Sequence, residues 1–379
     1  MAEPVHILHV HSTFTLGGKE ARAVRLMNLF GGHARHTVLS GVPGAIGARD
    51  AIDPAIDVHF PQDHPPLVGR PGIGRYHALA RYMRGFDLVL SYNWGAMDAV
   101  MARRLFSGPP LVHHEDGFNV RERNGPVPGR SLFRRLAFPA ASALVVPSVR
   151  LERIAHDVWK QPAGRVRRIA NGIALAGYDA PPSADAIPGL EKRPGEIVVG
   201  TLAGLRPIKN LRRLVRAFAA AQTGAAAARL VIVGEGPDRE AIAAEAGRAG
   251  VADRVLLPGF LPDPARYIGL FDIFALSSDS EQFPISLVEA MAAGKPAVST
   301  DVGDVAQMVA EPNRAFVVPV SDEGAFAAAL GRLIADDGLR HAVGEANRAR
   351  AQAEYGEDAM VDAYRSLYSS AIGRPGALG

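Results

Sequence analysis

Short strand-like runs alternate with helical stretches from one end of the chain to the other, and this rhythm limits the possible folds more than any other feature. In the first half the strand candidates are Val5–Val10, Thr37–Ser40, Asp87–Ser91, Pro110–His114, Ala143–Pro147 and Val166–Ile169. In the second half they are Ile197–Thr201, Leu230–Val233, Val255–Leu257, Ile273–Leu276, Ala297–Thr300 and Phe316–Val318. Helical patterns such as Lys19–Phe30 and Val149–Trp159 lie between most of them. Strands separated by helices of ten or more residues predict parallel sheets covered on both faces. Twelve candidates are too many for one ordinary doubly wound sheet, so 379 residues are expected to hold two such sheets in tandem.

The expected organisation is a Rossmann-like domain over 1–178, a linker over 179–195, a second Rossmann-like domain over 196–354 and a C-terminal helical segment over 355–379. The linker reads DAPPSADAIPGLEKRPG, with four prolines and no sustained period. The last segment predicts a helix over Tyr355–Ile372, with Met360, Val361, Tyr364, Leu367 and Tyr368 at helical spacing.

The two parts differ in charge. Residues 1–180 hold 22 Lys+Arg and 14 Asp+Glu, a balance of +8, while the remainder holds 20 and 25, a balance of −5. Eleven of the twelve histidines also lie in the first part. The net charge of +3 is too small for a nucleic-acid coat, and no nucleic-acid partner is expected. The chain has no cysteine, which excludes a disulfide framework, a thiolate metal site and a cysteine nucleophile. The start, MAEPVHILHV, lacks the basic and long apolar regions of a secretory signal, and no apolar run approaches the ~20 residues of a bilayer span. A cytoplasmic protein is expected, either soluble or peripheral at the inner face of the membrane.

Open parallel sheets bind ligands beyond the carboxyl ends of their strands, and two facing sheets would leave a cleft between them. The sequence motifs cluster at such strand ends. After Val5–Val10 comes HSTFTLGGKE, whose Gly17 and Gly18 would let backbone amides approach an anion or sugar. After Ile197–Thr201, Arg206 and Lys209 can reach back to a phosphate at the strand end. Arg212, Arg213 and Arg216 read as a solvated helix face. Gly234 and Gly236 follow Leu230–Val233 in a turn that resembles a nucleotide contact without being a full GxGxxG. Gly259, Phe260 and Leu261 can offer backbone groups and an apolar wall to a base. The most informative stretch is SSDSEQFPISLVEAMAAGKPAVSTDVGD, which begins just after Ile273–Leu276. It sets Glu281 and Glu289 with seven residues between them, flanking a Phe-Pro turn at the end of a buried strand. Pro284, which has no N–H of its own, suits the first turn of a helix, and the amides of Phe283, Ile285 and Ser286 around it define its anion-binding start. Carboxylates accept hydrogen bonds from paired sugar hydroxyls, so a diphosphate plus a sugar accounts for both features. No Asp/His cluster has metal-ligand spacing, and no cofactor or metal is expected.

These motifs, with Asn171-Gly172-Ile173, resemble the retaining glycosyltransferases of family 4, the E-x7-E type of glycosyl transferase group 1, over nearly the whole chain. The resemblance implies a GT-B fold: two facing Rossmann-like domains with a cleft between them and a C-terminal helix crossing back to the first. It implies a UDP- or GDP-sugar as donor, Glu289 on the ribose hydroxyls, Glu281 on the donor sugar, and Arg206 and Lys209 on the diphosphate. Phe283 to Ser286 would supply backbone contacts. Domain closure is expected, because donor and acceptor would lie on different halves. Family members often carry a histidine facing the donor sugar after the strand corresponding to Pro110–His114. Here the run is His113-His114-Glu115-Asp116-Gly117, so Asp116, His114 and Glu115 are all candidates, while His113 reads as a buried strand residue. Gln282 stands where glycine is more frequent.

The acceptor is expected on the first half and is either lipid-linked or a glycan precursor. Arg121, Arg123, Arg130, Arg134 and Arg135 lie near Phe118, Leu132, Phe133 and Leu136, a pattern suited to anionic lipid or, equally, to a solvated helix. Two other functions share the fold class: a non-hydrolysing sugar-nucleotide epimerase, and an inactive transferase-like binding protein. The oligomeric state is not encoded in any motif.

Overall fold

The computed structural model describes residues 3–69, 71–117, 122, 125–221 and 227–379. The chain divides into two compact units, one formed by Met1–Asn171 with Asp358–Gly379 and the other by Gly172–Glu357.

The first unit contains β1 Val5–His11, β2 Ala34–Ser40, β3 Val58–His59, β4 Leu88–Tyr92, β5 Leu111–His114, β6 Ala143–Val146 and β7 Val166–Arg168. Its helices are α1 Gly18–Phe30, α2 Ile73–Met83, α3 Met97–Phe106, α4 Pro128–Ala137 and α5 Val149–Asp157. The sheet runs β3-β2-β1-β4-β5-β6-β7 with every neighbour parallel. Only β3 is absent from the strand candidates; it has two residues, too few to show a period. In β1, Val5 and Ile7 pack under α1, while Leu8 and Val10 pack under α2 and α3. Strand alternation therefore places His9 and His11 on the α1 face. Ser148 caps α5 by accepting from the Leu151 amide at 3.1 Å.

The second unit contains β8 Ile197–Leu202, β9 Ala228–Val233, β10 Val255–Gly259, β11 Ile273–Leu276, β12 Ala297–Thr300 and β13 Val317–Val318. Its helices are α6 Leu211–Ala221, α7 Arg239–Arg248, α8 Ile285–Ala292, α9 Val305–Met308, α10 Glu323–Ala335 and α11 Asp337–Glu354. The strand order is β10-β9-β8-β11-β12-β13, again all parallel. Leu211, Leu214, Val215 and Phe218 repeat at helical spacing and bury α6 against Val199, Leu230 and Ile273. Residues 179–195 belong to this unit, with Ile187 and Leu190 buried.

The last helix, α12 Glu357–Ala371, lies from Asp358 onward in the first unit. Met360, Val361, Tyr364 and Tyr368 form its buried stripe and join the cluster of Ile7, Met27 and Phe30. Burying side chains of this size stabilises by ~1.5–3 kcal/mol each.

Candidate active site

In each sheet the connections run in opposite directions from the first strand, to β2 and β4 in one unit and to β9 and β11 in the other. In sheets of this kind the ligand crevice lies at that reversal, outside the carboxyl ends of the strands.

In the second unit the loops leaving β8 and β11 meet there. Lys209 donates to Oε1 of Glu281 at 2.5 Å, and Ser278 Oγ donates to the same oxygen at 2.7 Å. Ser277 Oγ in turn donates to the Lys209 carbonyl at 3.0 Å. Asn210 adopts a left-handed conformation with φ 44° and donates to Asp279 Oδ1 at 3.0 Å. Arg213 pairs with Asp279 at 2.9 Å and donates to the Ser277 carbonyl at 3.0 Å. The solvated-face reading of Arg213 therefore needs correction: its guanidinium ties the two loops together. Arg216 is also engaged, with Glu323 at 2.7 Å. Arg206 is exposed beside Gly204.

Pro284 is the N-cap of α8, one residue before its first turn, and no side chain caps the helix. Phe283 packs edge-on against Tyr355 at 5.7 Å. The Gln282 carbonyl accepts from the Asp304 amide at 3.1 Å, while its side-chain Oε1 is buried without a partner among the described residues.

Glu289 is raised to about 7, chiefly by burial, although the Tyr178 hydroxyl donates a hydrogen bond that opposes the shift. Asp263 pushes it the same way as burial. The Tyr178 and Tyr267 hydroxyls are raised too, first by burial and then by Glu289. Tyr178 was not apparent from sequence, because its partner lies more than a hundred residues away.

Gly234 and Gly236 have a packing reason of their own. A Cβ at Gly234 (φ 141°) would stand 1.9 Å from the Ala203 carbonyl oxygen, and one at Gly236 (φ 155°) 2.4 Å from that of Leu205. Only glycine lets the turn after β9 press onto the loop after β8. Gly259 also has positive φ, at 93°, and Phe260 beside it is 61% exposed. The Leu261 carbonyl accepts from the Tyr267 hydroxyl at 3.2 Å.

In the first unit, β1, β4 and β5 carry a buried aromatic and imidazole array. His9 bonds the Tyr92 hydroxyl at 3.1 Å and His36 at 3.0 Å. His11 stacks on Tyr92 at 4.0 Å, and both its ring nitrogens lack partners among the described residues. Beyond the strand ends, Arg22 of α1 grips Asp116 with both terminal guanidinium nitrogens, one at 2.9 Å, and donates to Asn171 Oδ1 at 3.0 Å. Burial opposes ionisation of Asp116, yet Arg22 holds its carboxyl below the usual range. Its amide donates to Asn93 Oδ1 at 2.6 Å. Gly17 is the extended N-cap of α1, Gly18 its first residue, and both are exposed.

The three candidates after β5 separate clearly. His114 is buried, bonds the Tyr368 hydroxyl at 2.7 Å and is pushed down to about 3 by burial and by Arg22. Glu115 is fully buried against Arg134 at 3.0 Å. Asp116 alone keeps exposed side-chain surface, 14%. His113 is a buried strand residue bonded to Ser91 at 2.9 Å.

The basic patch also needs correction. Arg134 is fully buried, pairs with Glu115 and Glu122, and lies over the rings of Trp94 and Trp159. Arg130 pairs with Glu122 at 2.9 Å. Arg135, Leu132 and Leu136 are exposed on α4, whereas Phe118, Arg121 and Arg123 lie outside the described residues. Among the described residues no group of His, Asp and Glu is arranged to hold a metal ion, and no helix is long and apolar enough to cross a membrane.

Two parallel Rossmann-like sheets with these topologies define a GT-B fold, and solved structures agree. HepE of Anabaena in complex with UDP superposes with a TM-score of 0.76 at 19% identity, covering 96% of this chain and 100% of that one. Sucrose-phosphate synthase of Thermosynechococcus elongatus gives 0.76 at 21% identity, covering 97% and 99%. Residues 184–350 match the family model of Glycosyl transferases group 1. Among curated relatives, N-acetyl-alpha-D-glucosaminyl L-malate synthase of Bacillus anthracis is 28% identical over 167 residues, 44% of each chain. D-inositol 3-phosphate glycosyltransferase of Acidothermus cellulolyticus is 30% identical over 277 residues, 67% of this chain and 61% of the relative. The aligned stretch thus spans about half the length of these two relatives.

Proposed function

We propose that the chain transfers a sugar from a nucleoside diphosphate sugar to an acceptor, with retention of anomeric configuration. The observation that carries this reading is the Lys209–Glu281 pair at the crevice of the second sheet, beside the uncapped start of α8. Lys209, Arg206 and the α8 amides take the diphosphate, Glu281 the donor sugar and Glu289 the ribose. UDP is the first base to test, since HepE was solved with UDP.

The bond from the anomeric carbon to the diphosphate breaks with positive charge on the ring and negative charge on the leaving group. Fixed cations and amides already aimed at that oxygen stabilise it without reorganising. The acceptor hydroxyl attacks from the same face, and its proton passes to the departing phosphate oxygen. Glu281 and Glu289 are not a retaining-glycosidase pair, which needs two carboxylates ~5 Å apart acting on one anomeric centre. The acceptor, lipid-linked or a glycan precursor, binds the first unit, where Asp116 is the polar group at the strand ends. Leu132, Leu136 and Arg135 give that unit a face for the inner surface of an anionic membrane.

A thermal-shift screen against UDP-, GDP- and ADP-sugars tests the donor, because a ligand at 100 times its Kd stabilises by ~2.7 kcal/mol. A flat response to all three overturns the reading. Donor epimerised in the absence of acceptor would favour the epimerase. Co-sedimentation with anionic vesicles at low salt tests the membrane face, and no binding removes it.

A further inference from the structure

Tyr178 lies six residues beyond Gly172, the first residue of the second unit. The segment that follows is laid along the loop after β10. A Cβ at Gly177 would stand 3.1 Å from that of Ala265, and one at Gly269 would stand 2.8 Å from Pro182 Cδ. The two strips line an open cavity of about 650 Å³, and Asp263 and Tyr267 in its wall also act electrostatically on Glu289 or are acted on by it. The turn Leu175–Tyr178 on the opposite strip packs on α8, and from it the Tyr178 hydroxyl bonds the Glu289 carboxyl. Glu289 is thus held from a segment distant in sequence and not only by its own helix.

We propose that Tyr178 is a positioning residue for the nucleotide site: its hydroxyl fixes the Glu289 carboxyl in place, leaving the remaining lone pairs for the two ribose hydroxyls. This rests on the reading of Glu289 as the ribose acceptor. A carboxylate offers about four acceptor positions, so one bond from Tyr178 leaves room for a diol, whereas a protonated carboxyl gives up part of that capacity. Among the described residues the titratable groups facing Glu289 are Tyr178, Asp263 and Tyr267. Burial and Asp263 favour the protonated form, and Tyr178 opposes them.

Calorimetric binding of UDP, GDP and ADP at pH 7 and pH 9, to the wild type, Tyr178→Phe and Glu289→Gln, tests the idea with the nucleotide that binds most tightly. With its carboxyl near 7, the wild type should gain about twofold in affinity between the two pH values. Tyr178→Phe should bind more weakly at pH 7 and gain about tenfold, because losing one hydrogen bond to a charged group raises the carboxyl by about one unit. Glu289→Gln should be weak and indifferent to pH. The 2′,3′-dideoxy nucleotide should bind wild type and Tyr178→Phe equally. A Tyr178→Phe profile that matches wild type overturns the proposal. So does a loss equal at both pH values and for both nucleotides, since that is a structural defect. Equal wild-type affinity for the normal and dideoxy nucleotides instead overturns the ribose reading of Glu289.

Discussion

The ammonium of Lys209 sits 2.5 Å from Oε1 of Glu281, and Ser278 shares that oxygen. The two side chains are 20% and 12% exposed, so they gain more from each other than a surface pair would, yet both remain reachable. Lys209→Ala and Glu281→Ala are each expected to abolish sugar transfer while leaving the circular dichroism spectrum and unfolding midpoint close to wild type. Near wild-type turnover by either variant with the true donor would contradict the assignment.

Cations and helix amides carry the proposed leaving-group stabilisation, so EDTA should leave the transfer rate unchanged within twofold. Arg206→Ala should lower it by 10²-fold or more. A rate that collapses in EDTA and returns with Mg²⁺ would require a different account of the diphosphate.

Acid should weaken the first unit. His36 and His114 are pushed down to about 4 and about 3, mainly by burial, and His9 and His11 move the same way. Above an unfolded value of ~6.5 these imidazoles are neutral in both states, and stability does not depend on them. Below it the unfolded chain takes protons that the folded one refuses. Stability is therefore lost as pH falls from ~6.5 towards ~4, at up to ~1.4 kcal/mol per unit for each histidine. A urea midpoint that stays constant between pH 7.5 and 5 would count against the buried array.

Arg134 should behave as the keystone of a buried ion network. Arg134→Met leaves Glu115 buried without its cation and Glu122 with Arg130 alone, and is expected to cost ~3–5 kcal/mol. Adding Glu115→Gln and Glu122→Gln should recover most of that loss. Additive destabilisation in denaturant melts of the triple variant would show that the three act independently.

Gly234→Ala should cost more than ~3 kcal/mol, since its Cβ would meet the Ala203 carbonyl at 1.9 Å. Gly44→Ala is the control: Gly44 also has positive φ, 75°, but no neighbour within 4 Å, so its cost should stay at ~1–2 kcal/mol. Equal midpoint shifts for the two would mean that backbone conformation, and not contact, sets the requirement.

The sheets were legible because parallel strands are buried on both faces and read as unbroken apolar runs, as in Ile197–Leu202 and Ile273–Leu276. Lys209 and Glu281 were legible for a related reason: each follows such a run closely, where a doubly wound sheet gathers its loops. Tyr178 was not, because its meaning depends on Glu289, and each looks ordinary alone. Arg134 misled for the opposite reason. Its helical spacing beside Arg130 and Arg135 suggests a surface, and only Trp94 and Trp159 closing over it make it interior.

The first unit is built from two stretches of chain, and His114 meets Tyr368 across 254 residues. On a ribosome adding about 5–20 residues per second, the imidazole emerges roughly 10–50 s before the phenol that covers it. The second unit, one continuous stretch, can close during that wait. What is made first is thus finished last, and the nascent chain must shelter an open apolar face until its final helix arrives.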